Sequence, residues 1–248
     1  MQQPVLRVAF VRGVTPAKWA RVWAQRRRDL PLELLPTDAA GQLSALRDGS
    51  ARLAFVRLPV DDTGLHLIGL YEERPVAVVG KDHVLAAAAT VTRAEIDALA
   101  DGPVSVYDEH IDGRLEDALA LVASGVGALV LPHSIARLHA RRDLVARDVS
   151  DGEPTRIALV WPATDADGNA DADDIGPDGL DRLAAAAAID EFVGVVRGRT
   201  ANSSRGGTAG QVGVTAPGSR RARAAEDRSG RRGGTSSRGR RHPKRRRP

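Results

Sequence analysis

Residues 5–58 read VLRVAFVRGVTPAKWARVWAQRRRDLPLELLPTDAAGQLSALRDGSARLAFVRL, and the succession of short apolar runs and helical spacings in this stretch decides the fold. VLRVAFV at 5–11 is a β-rich apolar run, broken by Gly13. Thr15-Pro16 has the form of a helix start, with Thr at the N-cap and Pro at the first helical position. The helix is predicted to reach about residue 28, with Trp19, Val22 and Trp23 spaced i, i+3, i+4 on one face. PLELLP at 31–36 reads as a second strand. DAAGQLSALRD at 38–48 reads as a second helix, capped by Thr37 or Asp38 and closed by Gly49, and RLAFVRL at 52–58 as a third strand. Two β-helix-β units in succession predict a parallel sheet with right-handed crossovers and, from a shared central strand, the order 2-1-3.

Working outward, strands are predicted at 65–71, 75–80, 103–107, 127–131, 144–149 and 155–161, and helices at 92–100, 114–124, 133–140 and 178–197. Asp178 is the expected cap of the last helix and Gly198 its end. The strand-helix-strand pattern occurs in both halves and predicts two small α/β lobes. The first comprises 5–78 plus the returning segment 159–198, the second 82–155, with crossings near Gly80–Asp82 and Arg156–Leu159. Ligands of open α/β folds bind at the carboxyl ends of the strands, and two lobes joined twice would set those ends on either side of a cleft.

Composition narrows the function classes. The 248 residues include no Cys, which excludes disulfide scaffolds, Cys zinc sites and cysteine nucleophiles. Aromatics are 3%, so the core is expected to rest on Ala, Val and Leu. The net charge of +4 hides two opposite parts. Residues 1–196 carry 20 Lys and Arg against 30 Asp and Glu, a balance of −10, and residues 197–248 carry 16 against 2, a balance of +14. From Thr200 onward the chain is Gly, Ser, Arg and Pro with few apolar residues, which predicts a disordered Arg/Gly/Ser-rich tail over 199–248. Three readings of that tail stand: salt-sensitive, sequence-independent contact with nucleic-acid phosphates, loose folding back onto the acidic part, or an extension without function. The N-terminal apolar run is too short for a signal peptide, and runs such as LAAAAAI at 183–189 are too short to span a bilayer. The expectation is a soluble, cytoplasmic protein with no membrane contact.

Three stretches carry a family resemblance. QLSALRDGSARLAFVRLPV at 42–60, LYEERPVAVVGKDHV at 70–84 and LALVASGVGALVLPHSIARL at 119–138 resemble, in order and spacing, segments of the effector-binding domain of LysR-type transcriptional regulators. The resemblance covers residues 5–198. It implies a two-lobed fold like that of periplasmic solute-binding proteins, a small effector with carboxylates among the candidates and a role in transcription regulation; neither a cofactor nor enzyme activity is expected. It also implies a homodimer paired antiparallel through the helices at 15–28 and 114–124, with Trp19 and Val22 on the pairing face or in the core. That family carries a winged helix-turn-helix ahead of this domain, whereas here the first effector-domain strand stands at the start of the chain. The second lobe also reads as shortened, with only DEHIDG at 108–113 between a strand and a helix. The alternative function is a nonspecific nucleic-acid-binding protein acting through its tail; a periplasmic solute-binding protein is a third reading, against which the missing signal peptide counts.

Each candidate ligand-binding residue has two readings. Thr15 and Thr37 sit at strand-to-helix turns, where backbone N–H groups favour a carboxylate or where a Thr simply caps a helix; the resemblance implies effector contact at the first. Arg57 ends the third strand and either holds an anion bidentately or pairs with Asp61 or Asp62 at the surface. Tyr107 closes over a ligand or is an ordinary strand-end aromatic. The catalytic and metal motifs fall short. GVG at 125–127 is no dinucleotide fingerprint, His133 and His139 lack the i, i+4 spacing of helical ligands, and Ser134 has no GxSxG elbow. Asp167, Asn169, Asp171, Asp173 and Asp178 match a calcium-loop frame, but Ala172 replaces its Gly, and a solvated acidic loop at 163–177 is the expected reading.

Overall fold

A computed structural model describes residues 4–163 and 178–198. The acidic loop and the tail lie outside the described residues, apart from Asp178. The elements follow as β1 (Leu6–Val11), α1 (Ala17–Arg26), β2 (Leu32–Thr37), α2 (Ser44–Arg47), β3 (Leu53–Arg57), β4 (Leu65–Glu73) and β5 (Pro75–Gly80). Then come β6 (Thr90–Val91), α3 (Arg93–Leu99), β7 (Val104–Val106), α4 (Glu109–Asp112), α5 (Leu115–Ala123), β8 (Ala128–Pro132), α6 (His133–Leu138), β9 (Leu144–Val149), β10 (Thr155–Pro162) and α7 (Arg182–Val196).

The strands form two five-stranded sheets, β2-β1-β3-β10-β4 and β6-β9-β5-β8-β7. The order 2-1-3 holds, and β1 is parallel to both its neighbours. The sheets are nonetheless mixed: β10 runs antiparallel to β3 and β4, and β5 antiparallel to β8 and β9. The sheets change hands at Arg74, between β4 and β5, and again between β9 and β10. Both crossings come earlier than expected, so 75–80 belongs to the second sheet and 155–158 to the first. A single residue separates two apolar strands at Arg74, and no break in pattern marks the change.

β3 is buried along its whole length. Its Phe55 faces the larger core, where it stacks on Trp19 at 4.8 Å between ring centroids and meets Phe192 edge-on at 6.2 Å; Trp23 meets Phe192 at 5.6 Å. Four of the eight aromatics thus meet under α1 and α7, so this core rests on rings as well as aliphatics. Trp19 belongs to that core, as does Leu119 of α5 to the second lobe's. Neither is available to an intermolecular face. Ala54 and Val56, on the other face of β3, pack under α2.

Two expected helices start late. Asp38 accepts the Gly41 N–H at 2.6 Å, an Asx turn that occupies 38–41, and only 44–47 are helical. Asp181, not Asp178, caps α7, accepting the Ala184 N–H at 2.7 Å. Gly179 has φ +74°, which a helix cannot contain, and Asp178 is engaged elsewhere. The Asp178 carboxylate, 3% exposed, takes Arg52 Nε at 2.7 Å and Nη2 at 2.9 Å, while its carbonyl accepts the Val5 N–H. It ties the returning segment to the first sheet. Burial acts to raise this carboxyl, but Arg52 and the Leu180 N–H hold it below its ordinary value of 3.8. A depressed carboxyl contributes stability above its unfolded value and loses it as pH falls through the folded one. Asp178→Asn is expected to cost about 1.5–3 kcal/mol at neutral pH. The gap between variant and wild type should close below about pH 4, as read from urea unfolding at a series of pH values.

Candidate functional site

The first sheet presents three parallel strands that end together: β1 at Val11, β2 at Thr37 and β3 at Arg57. The Arg12 N–H donates to Thr37 O at 3.2 Å, which pins two of those ends. Beyond β1 the chain turns through Gly13, at φ +88°, where any Cβ would collide with Ser134 Oγ of α6. Glycine here lets the first lobe touch the second. The second lobe answers with Tyr107, which follows β7 and is held by its N–H to Val130 O, with Asp112 at the end of α4, and with Ser134.

Arg57 lies at the seam and is 7% exposed. Its Nη2 donates to Glu73 Oε2 at 2.8 Å, and both terminal nitrogens reach Arg12 O at 3.3 Å. From the second lobe, Ser134 Oγ stands 3.3 Å from Nη2, and the Tyr107 ring lies 5.5 Å from the guanidinium carbon. The main chain of Arg57 is bracketed by Gln42, whose Oε1 accepts the N–H and whose Nε2 donates to the carbonyl. The expected surface pair with Asp61 or Asp62 is not formed; Asp61 accepts the Thr63 N–H instead. The guanidinium is therefore matched to a buried carboxylate and is not a free anion clamp.

Among the described residues, six buried side-chain polar atoms lack a hydrogen-bond partner, and four belong to this seam: Thr37 Oγ1, Arg57 Nε, Tyr107 Oη and Asp112 Oδ1. Asp112 Oδ2 accepts the Ala39 N–H at 2.8 Å and so links the lobes. Burial, then the neighbouring Asp112 carboxylate, push the Tyr107 phenol well above its ordinary value, so it stays a protonated hydroxyl. Two cavities open here. One, of ≈ 400 Å³, is lined by Arg12, Thr37 and Asp38; the other, of ≈ 340 Å³, by Arg12, Asp38 and Asp112 among others. Both fall in the range of small-molecule sites, roughly 300–1,000 Å³.

Of the residues singled out in the sequence, Arg57 and Tyr107 meet at the seam, and Thr37, tied to Arg12, alone of the three lines one of the two cavities. Thr15 does not join them. It is exposed, makes no cap bond with α1 and lines neither cavity. No helix N-terminus stands at Thr37 either, since α2 begins at Ser44. Sequence reasoning missed Glu73, Asp112 and Ser134. Only Asp112 had a signal, as a carboxylate in the short DEHIDG segment.

Residues 2–170 match the family described as LysR substrate binding domain. The chain belongs to that family. It is 30% identical over 132 residues to the HTH-type transcriptional regulator CatR of Pseudomonas putida, a match covering 45% of each chain. It is 28% identical over 163 residues to a probable hydrogen peroxide-inducible genes activator of Mycobacterium avium, covering 56% of this chain and 51% of the relative. The chain thus spans about half the length of these two relatives, which are named as regulators and not as enzymes. Among solved structures, a variant OxyR regulatory domain from Pseudomonas aeruginosa has a TM-score of 0.55 at 20% identity, over 78% of this chain and 96% of that one. The effector binding domain of a BenM variant has a TM-score of 0.57 at 18% identity, over 79% and 94%. These likenesses establish the LysR effector-domain fold. No described helix is long and apolar enough to cross a membrane.

The Arg57–Glu73 pair can be tested directly. Glu73→Gln leaves a buried guanidinium uncompensated and is expected to cost about 3–5 kcal/mol in chemical denaturation. The double variant Arg57→Met, Glu73→Leu should recover most of that loss, because it removes both charges.

Proposed function

We propose that the seam between the lobes binds a small polar effector, and that its occupancy regulates transcription. The observation that carries this reading is the set of four unpartnered buried polar atoms, Thr37 Oγ1 and Arg57 Nε from the first lobe, Tyr107 Oη and Asp112 Oδ1 from the second. Buried polar groups are nearly always hydrogen-bonded, and exceptions mark sites with a task beyond stability. Two hydroxyls, a guanidinium N–H and the exposed Arg12 suit an acidic group on the ligand, a carboxylate among the candidates. Family membership supports the same reading, as do relatives that are transcriptional regulators.

An orphaned hydroxyl contributes nothing to the free protein, so its removal separates binding from stability. Thr37→Val and Tyr107→Phe are each expected to leave the melting temperature unchanged or raised. Each should weaken the tightest ligand from a calorimetric screen of small carboxylates, amino acids included, by about five- to tenfold. Lower stability with unchanged affinity would place both residues in the scaffold and remove them from the site.

We also propose a homodimer that pairs α1 of one copy with α5 of the other. Lys18 and Arg21 are exposed on α1, and Glu116, Asp117 and Leu121 on α5, so the two surfaces are complementary in charge. Light scattering on the full chain should report twice the mass of one copy. Lys18→Glu with Arg21→Glu should yield monomers, and adding Glu116→Lys with Asp117→Lys should restore the dimer.

A further inference from the structure

We infer that Asp112 makes this cleft selective for a ligand that carries an ammonium group beside its acidic one, the chemistry of an α-amino acid. The inference rests on the reading of the cleft as an effector site and names the class of effector.

Three carboxylates are buried among the described residues: Glu73, Asp112 and Asp178. Glu73 has Arg57 at 2.8 Å and Asp178 has Arg52 at 2.7 Å. Asp112, 4% exposed, has no cation within ion-pair distance among the described residues. An ionised carboxylate offers about four acceptor positions. Here one is filled by the Ala39 N–H, and Oδ1 is unpartnered. Buried charges are ordinarily paired, because the desolvation cost of an isolated one is large. The Tyr107 hydroxyl lies beside Asp112 and brings no compensating charge.

Asp112 lines the cavity that Arg12 also lines. Asp38, Arg114, Glu116, Asp117 and His139 line it too, so its wall carries both signs of charge, with Asp112 as its buried carboxylate. A zwitterion answers both: its carboxylate meets Arg12, and its ammonium donates to Asp112 Oδ1. A simple carboxylate would bring a second negative charge to Asp112. A hydroxy acid would supply the donor without neutralising the charge. The expected order of affinity is amino acid, hydroxy acid, simple acid.

Calorimetry on the full chain tests this, with the twenty protein amino acids as probes, each beside its 2-hydroxy and deaminated analogues. At least one amino acid is expected to bind, and to bind at least about tenfold more tightly than its deaminated analogue. Asp112→Asn retains an acceptor for the Ala39 N–H and should keep a wild-type melting profile. It should weaken that amino acid at least about tenfold and leave the deaminated acid within about twofold. The comparison of analogues on the unaltered chain stands even if the variant is poorly folded. Equal affinity for amino and deaminated ligands overturns this inference, and so does binding of deaminated acids alone. An Asp112→Asn variant that binds amino acids as wild type also overturns it, and leaves Asp112 as a brace for Tyr107. In these cases the cleft remains an effector site. If no member of the panel binds, that reading falls as well.

Discussion

The buried guanidinium of Arg57 organises the meeting of the two lobes. β3 is covered on both faces, so its final side chain emerges at the seam and not in water. A charge in that position restricts its surroundings. Glu73 neutralises it, Arg12 supplies a carbonyl, and the second lobe contributes the Ser134 hydroxyl and the face of Tyr107. A buried pair of this kind adds little net stability over an apolar substitute, but any arrangement that separates the partners is heavily penalised. Glu73 is the residue before Arg74, where the chain leaves the first sheet. The pair therefore fixes the point of departure as well as the strand end.

This explains how much of the molecule could be read from its residues. The order β2-β1-β3 follows from two crossovers whose hand is constrained by strand twist, and both units are visible in residues 5–58. The late starts of α2 and α7 were not legible, because each turns on a side chain that hydrogen-bonds to a nearby backbone N–H or to a distant arginine. The crossover at Arg74 was hidden for another reason. β4 and β5 are both apolar runs, and their assignment to different sheets depends on the partners β10, β8 and β9, far away in sequence. At the seam, strand ends are predictable places, and Thr37, Arg57 and Tyr107 do stand at or just past the ends of β2, β3 and β7. Their electrostatic roles were not legible, because Glu73 and Asp112 come from separate parts of the chain.

The consequence for the cleft is a change of sign. A guanidinium flanked by two helix N-termini would be a strongly positive site suited to any small anion. The guanidinium is instead internally neutralised, α2 begins away from Thr37, and carboxylates, Asp38 and Asp112 among them, stand in the cavity walls. What is left is a mixed set of donors and acceptors. Such a set discriminates by pattern and not by net charge, because a ligand of the right charge but the wrong pattern leaves a buried group unpartnered.

The division of the unpartnered atoms between the lobes bears on how occupancy is transmitted. A ligand shifts a conformational equilibrium only by its difference in affinity for the two states. A ligand held within one lobe would have no such difference. Here two of the four atoms belong to each lobe, so an occupant that met atoms of both would favour one separation of the lobes. Binding free energy then becomes a preference for that separation. The two crossovers can carry it as a unit: Gly152, in the second, lies so close against Pro75, just past the first, that a Cβ at Gly152 would collide with the proline ring. That contact leaves the two crossovers packed against each other, so a change in lobe separation would have to involve both.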